Sequence, residues 1–228
     1  MTVTWIKICA TTNLEDAFMS IDAGANALGF ILTPSTRRVT PETAAEIVAA
    51  LPPTIEKVGV VVNETPQRLS ELADQIGLTA LQLHGDEPPE RLPEYRRALP
   101  VHKIIKTLQV GGLLTGTSRY ALDEYLRMRG SIDAILLDSG VPANRGGTGF
   151  TFDWNAALPI VAQIKEVLPM IIAGGLTPDN VDDAIRIFEP CGVDVVSGVE
   201  RETGKKDETK VRAFVAAARG AAHHQSPK

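Results

Sequence analysis

Residues 169–198 read PMIIAGGLTPDNVDDAIRIFEPCGVDVVSG. Two short apolar runs, each closing on glycine or serine, stand on either side of a segment with helical spacing. That spacing predicts a helix over 178–188, with Thr177 and Pro178 as its start signal. Strand, helix and strand in that order form a βαβ unit with its two strands parallel. The alternation continues towards both ends of the chain. Further strand-like runs stand at 5–10 (WIKICA), 27–32 (ALGFIL), 57–62 (KVGVVV), 80–85 (ALQLHG), 101–107 (VHKIIKT) and 133–139 (DAILLDS), which makes eight in all. Helices are expected between and after them at 14–24, 41–51, 65–76, 88–99, 118–129, 154–167 and 207–219. Asn13, Thr40 with Pro41, Thr65 with Pro66 and Asp153 read as their starts, and Gly24, Pro52 and Gly77 as their stops.

Eight strand-helix units without a linker or low-complexity break predict a single closed (β/α)₈ TIM barrel over residues 1–220, because closure removes the edges that a parallel sheet would expose. An open doubly wound sheet is the alternative. The polar end at 221–228 reads as a disordered tail outside the barrel.

Composition narrows the function. A net charge of −5 argues against a broad nucleic-acid footprint and for a small-molecule partner. The two cysteines, Cys9 and Cys191, suggest neither a disulfide framework nor a zinc site. No export signal or long apolar run is visible, which predicts a cytoplasmic protein without membrane contact. Monomer and homodimer both stay open.

In a barrel, chemistry sits where the strands end at the C-terminal face. Those ends are Cys9, the loop after Leu32, Asn63, His84 with Gly85, Lys106, Asp138, Gly174 with Gly175, and Ser197 with Gly198. Cys9 alone reads equally as a small buried hydrophobe. The glycines after strands seven and eight predict a phosphate cradle, aided by a helix start at Thr177. Asp138 is a candidate acid or base, and the loop with Gly146, Gly147 and Gly149 a candidate mobile cover. Arg37 or Arg38 offers a planar fork to a substrate carboxylate. Gln82 and His84 share one face of the fourth strand, near the mouth. His102, His223 and His224 fall away from the strand ends, and Cys191 is expected to pack near the end of the seventh helix.

Taken together, KICATTNLEDA, PSTRRVTPE, VGVVVNE, LQLHGDE, GGTGFTFDW, AGGLTPDNV and SGVE resemble the phosphoribosylanthranilate isomerase family of tryptophan biosynthesis, from residue 5 to about 215. The resemblance implies an Amadori rearrangement of N-(5-phosphoribosyl)anthranilate without metal or organic cofactor. It places the family's cysteine on Cys9, its aspartate on Asp138 and its carboxylate-binding arginine on Arg37, with Arg38 the less favoured register. The acid must hold its proton and the base give one up in the same cavity, and donors near Cys9 are expected to ease ionisation of the thiol. The family usually has glycine after the cysteine, where Ala10 stands, so the backbone there is expected to avoid positive φ. Ala173 replaces a more usual serine, removing a hydroxyl near the cradle.

Two other readings stay open. A histidine-pathway isomerase runs the same rearrangement, but with two carboxylates where this first strand ends in cysteine. A non-catalytic phosphosugar-binding protein would need neither Cys9 nor Asp138.

Overall fold

A computed structural model describes residues 5–116, 118, 120–139 and 153–223. Eight parallel strands, β1 (Trp5–Ile8), β2 (Ala27–Ile31), β3 (Glu56–Val61), β4 (Ala80–Leu83), β5 (Lys103–Gln109), β6 (Ala134–Asp138), β7 (Met170–Ile172) and β8 (Gly192–Val195), pair in chain order. β8 returns to β1 and closes the barrel. An outer layer holds α1 (Leu14–Asp22), α2 (Pro41–Ala49), α3 (Pro66–Ile76), α4 (Leu92–Ala98), α5 (Val110–Thr115), α6 (Leu122–Arg127), α7 (Trp154–Lys165), α8 (Val181–Phe188) and α9 (Glu208–His223). A hairpin, β9 (Glu200–Glu202) and β10 (Lys205–Lys206), precedes α9.

The two-residue period of each strand sorts side chains into two cores. One face sends Ile6, Ile8, Leu28, Phe30 and Leu81 against the helices. The other fills the interior with Ala27, Val58, Ala80, Ile105, Ala134, Leu136, Ile171 and Ala173. Short inner side chains leave room for one long one: Lys7 lies level with Ala27 on one side and Asp194 on the other.

The helix starts follow the expected chemistry. Asn13, Thr40, Thr65 and Asp153 each accept a backbone N–H of the first turn, and Gly77 ends α3 at φ +78°. Four boundaries differ. The fourth helix opens as a 3₁₀ turn, Pro89–Arg91, with Pro93 in the first turn of α4. The fifth unit holds two short helices in place of one over 118–129, because Gly116 at φ +69° ends α5. The helix expected from Pro178 begins at Val181, since Asn180 folds Thr177–Asn180 into a turn by accepting the Thr177 N–H and donating to the Gly175 carbonyl. The last helix runs on to His223, into the stretch expected as tail.

β5 also continues past Lys106 to Gln109, so Lys106 does not end its strand. Its side chain points to the helix layer, where its ammonium reaches Glu87 at 2.8 Å and the Gly85 carbonyl at 2.8 Å beneath the Tyr125 ring. Glu87 also accepts the Asn63 and Gly85 N–H groups, pinning the loops after β3 and β4. Burial alone would raise the Glu87 carboxyl, but Lys106 and these donors hold it below the usual carboxylate range. Glu87→Gln should cost about 3–5 kcal/mol in chemical denaturation, because it removes one charge of a buried ion pair. Adding Lys106→Met should recover most of that loss.

Candidate active site

The C-terminal mouth of the barrel opens into a cavity of about 470 Å³. Cys9 from β1, Arg37 after β2, Asn63 after β3, Gln82 and His84 from β4, Asp138 from β6 and Asp194 from β8 line it. A second, much smaller cavity shares Asp138 and Asp194 with the first and is lined also by Ala173, Gly174, Gly175 and Ser197. Gly198 faces an outer groove with Gly175 and Thr177. The structure thus gathers Cys9, Arg37, Gln82, His84 and Asp138 around one space, with three of the four cradle residues lining the small cavity next to it. Arg38 is exposed and lines none of it.

Cys9 is 3% exposed, and its N–H donates to the Val195 carbonyl at 2.9 Å. Thr11 N–H donates to the Gly29 carbonyl at 2.9 Å, so the peptides flanking Ala10 are held by two different strands. Between these anchors Ala10 sits at φ +63°, in the left-handed region that an alanine was expected to avoid. The ladder imposes the turn whatever residue occupies it. Gly29 makes room for the thiol: a Cβ there would fall 2.5 Å from the Cys9 Sγ. Nothing in the motif reading singled out Gly29, because the contact crosses two strands.

Below Cys9 on the same inner face, Lys7 meets Asp194 at 2.7 Å, both out of solvent. Burial alone would depress the Lys7 ammonium, but Asp194 and then Cys9 hold it above its ordinary value. Burial pushes the Cys9 thiol up, while Lys7 and Lys206 pull it down without prevailing. The expected easing of thiol ionisation is therefore present as a force but loses to desolvation. This pair was legible in principle: alternation puts Lys7 beside Cys9 on the inner face, and a charge there needs a partner on the neighbouring strand.

Gln82 is 2% exposed; its Nε2 donates to Thr107 Oγ1 at 3.1 Å and to His84 Nδ1 at 3.1 Å. Its Oε1 has no partner among the described residues. With Nδ1 accepting, a neutral His84 carries its proton on Nε2. Burial depresses the His84 imidazole below its ordinary value, with Asp138 pulling the other way.

Arg37 does not present an open fork. Its Nε reaches both oxygens of Glu200, at 2.9 and 3.1 Å, and Nη2 reaches Oε2 at 2.7 Å. Only the Nη1 end stays unbonded among the described residues. In the glycine loops, Gly174 and Gly175 adopt φ of +83° and +67°. A Cβ on Gly198 would stand 1.9 Å from the Leu176 carbonyl oxygen, so only glycine lets these two loops touch. Thr177 N–H is already held by Asn180, which shifts the free donors to Ser197 and Gly198, at the start of the 3₁₀ turn Ser197–Val199. Cys191 is exposed between α8 and β8, not packed. The glycine loop at 146–149 and His224 lie outside the described residues. Among the described residues no three His, Cys, Asp or Glu groups converge as metal ligands, and no helix is long and apolar enough to cross a membrane.

Residues 6–217 match the family model for N-(5'-phosphoribosyl)anthranilate (PRA) isomerase. A protein of that name from Geobacter sulfurreducens is 44% identical over 216 residues, 94% of this chain and 98% of its own. A crystal structure of phosphoribosyl anthranilate isomerase from Thermotoga maritima superposes with a TM-score of 0.82 at 38% identity, covering 96% of this chain and all of that one. Another, of such an isomerase in complex with reduced 1-(o-carboxyphenylamino)-1-deoxyribulose 5-phosphate, does so at 0.77 and 36%, covering 96% and 100%.

Two outcomes follow from this geometry. Ala10→Gly should raise stability by at most about 1 kcal/mol in urea denaturation, since relief of left-handed strain, about 1–2 kcal/mol, is offset by the loss of one buried methyl, about 0.8 kcal/mol, and by the greater freedom of glycine in the unfolded chain. An unchanged or lower midpoint would show that the ladder holds the turn without strain. For His84, the folded state disfavours protonation, so its contribution is full above an unfolded pKa of about 6.5 and is lost as pH falls through the depressed folded value. The stability of His84→Gln should therefore vary less with pH than wild type between about pH 5 and 6.5, above the range where the low-lying carboxylates titrate.

Proposed function

For a chain that belongs to the N-(5'-phosphoribosyl)anthranilate isomerase family, we propose that Cys9 and Asp138 divide the proton transfers of its reaction. The chain converts N-(5'-phosphoribosyl)anthranilate to 1-(2-carboxyphenylamino)-1-deoxyribulose 5-phosphate, an Amadori rearrangement in tryptophan biosynthesis. The single observation that carries the assignment is that a thiol and a carboxyl from strands on different sides of the barrel line one cavity.

Asp138 protonates the ribose ring oxygen, the ring opens, and the nitrogen lone pair completes a protonated Schiff base. Cys9, as thiolate, then takes the C2 proton, and the electron pair moves towards nitrogen to give the enolamine. Proton return to C1 and loss of the enol proton yield the ketose. Lys7, beneath Cys9, supplies the positive charge that a thiolate needs in a buried site. A thiol held above its ordinary value is also the stronger base once ionised.

The substrate's ends suit the two extremes of the cavity. Arg37 offers its Nη1 end to the anthranilate carboxylate. The phosphate takes the donors of Gly174, Gly175 and Ser197 at the small adjoining cavity, and of Gly198 at the outer groove beside it. The unpartnered Gln82 Oε1 and the His84 Nε2–H lie between them, where ribose hydroxyls pass. Support for two separate anion sites comes from the solved isomerase in complex with reduced 1-(o-carboxyphenylamino)-1-deoxyribulose 5-phosphate, a molecule carrying both a carboxyl and a phosphate. We read the working unit as one barrel through residue 220, acting on this phosphosugar in the cytoplasm, with a net charge of −5 set against a nucleic-acid partner.

Purified protein should speed the loss of anthranilate fluorescence from freshly made substrate. Cys9→Ser and Asp138→Asn should each keep the circular dichroism of the parent and lose roughly 10²–10⁴ in kcat, the worth of a positioned base or acid. A Cys9→Ser enzyme retaining more than about a tenth of kcat would assign the thiol to packing, since a general base is worth at least a hundredfold.

A further inference from the structure

Resting on the reading of Arg37 as the carboxylate group, we infer that Glu200, in the hairpin after β8, is the residue that positions it. Arg37 stands on a polar loop after β2, where a free arginine would sample many rotamers and lose that freedom on binding. Glu200 removes the search in advance. It opens β9 with its side chain turned back to the barrel mouth and buried, and grips the Nε and Nη2 edge of Arg37 with both oxygens at 2.7–3.1 Å.

Glu200 is itself held independently of Arg37. Its Oε1 also accepts the Gly204 N–H at 3.2 Å and faces the buried Lys206 ammonium at 3.5 Å. The hairpin is tied to the segment after Cys9, with Thr12 Oγ1 donating to the Gly204 carbonyl at 2.6 Å and Lys206 N–H donating to Asp16 at 2.9 Å. The loop after β2 thus meets the hairpin after β8 at one carboxylate, and the loop after β1 is tied to the same hairpin.

One consequence for recognition follows. The edge of the guanidinium that makes side-on paired contacts is taken, so the ligand meets the Nη1 end.

The test is a double-mutant cycle read as KM against kcat. Glu200→Gln, and Glu200→Asp should the first fold poorly, should raise KM for phosphoribosylanthranilate about tenfold with kcat within about twofold, because the fork loses its registration. Neither change should alter KM further in an Arg37→Ala background. Binding supplies a readout that general loosening would not reproduce. Glu200→Gln should weaken inhibition by the reduced carboxyphenylamino product while leaving inhibition by its phenylamino counterpart, which lacks the carboxylate, unchanged. Equal KM effects in both backgrounds, or equal weakening of both inhibitors, would overturn the positioning role while leaving Arg37 as the carboxylate group. An Arg37→Ala enzyme with unchanged KM would bring down both assignments.

Discussion

The pairing of β8 with β1 is the constraint on which the rest of this molecule depends. Four residue pairs in register close the barrel, and the same register sets Lys7 opposite Asp194 and Ile8 opposite Val195. A slip by one residue would turn every inner side chain of β1 outward. Lys7 would then enter an apolar helix layer without a partner, and Cys9 would leave the cavity. The ion pair therefore tests the register as well as filling the interior, because a buried ammonium tolerates only the arrangement that supplies its carboxylate.

Buried charge recurs in three places with three consequences. Lys106 and Glu87 lie on the outer face of the barrel and bind loops to the sheet. Lys7 and Asp194 lie inside the barrel and place positive charge under a thiol. Arg37, Glu200 and Lys206 lie at the rim and join three loops. Each set is desolvated, so each interaction acts with little screening by salt. The donors in these sets are oriented before any ligand arrives, which is the condition for electrostatic stabilisation of a transition state.

Much of this was legible in the chain. Eight apolar runs alternating with helical spacing sufficed for the barrel, and the rule that strand ends carry the chemistry brought Cys9, Asp138, Arg37, Gln82 and His84 into one group, with the family resemblance narrowing the arginine to Arg37. What escaped was whatever depends on two strands at once. Gly29 looks like an interruption in ALGFIL until the Cys9 thiol is seen against it. Glu200 reads as a surface carboxylate until the hairpin folds it back on Arg37. Lys106 was misplaced because β5 continues three residues past it, to Gln109. The positive φ of Ala10 reversed a propensity argument, since two hydrogen bonds from different strands outweigh a local preference of about 1–2 kcal/mol.

The contact between Gly29 and Cys9 couples two positions that lie twenty residues apart in the chain. A side chain at 29 would press on the Cys9 thiol and on its Cα and Cβ, so a substitution at either position meets the other. An apparently idle position on one strand is thereby answerable to the residue that ends its neighbour.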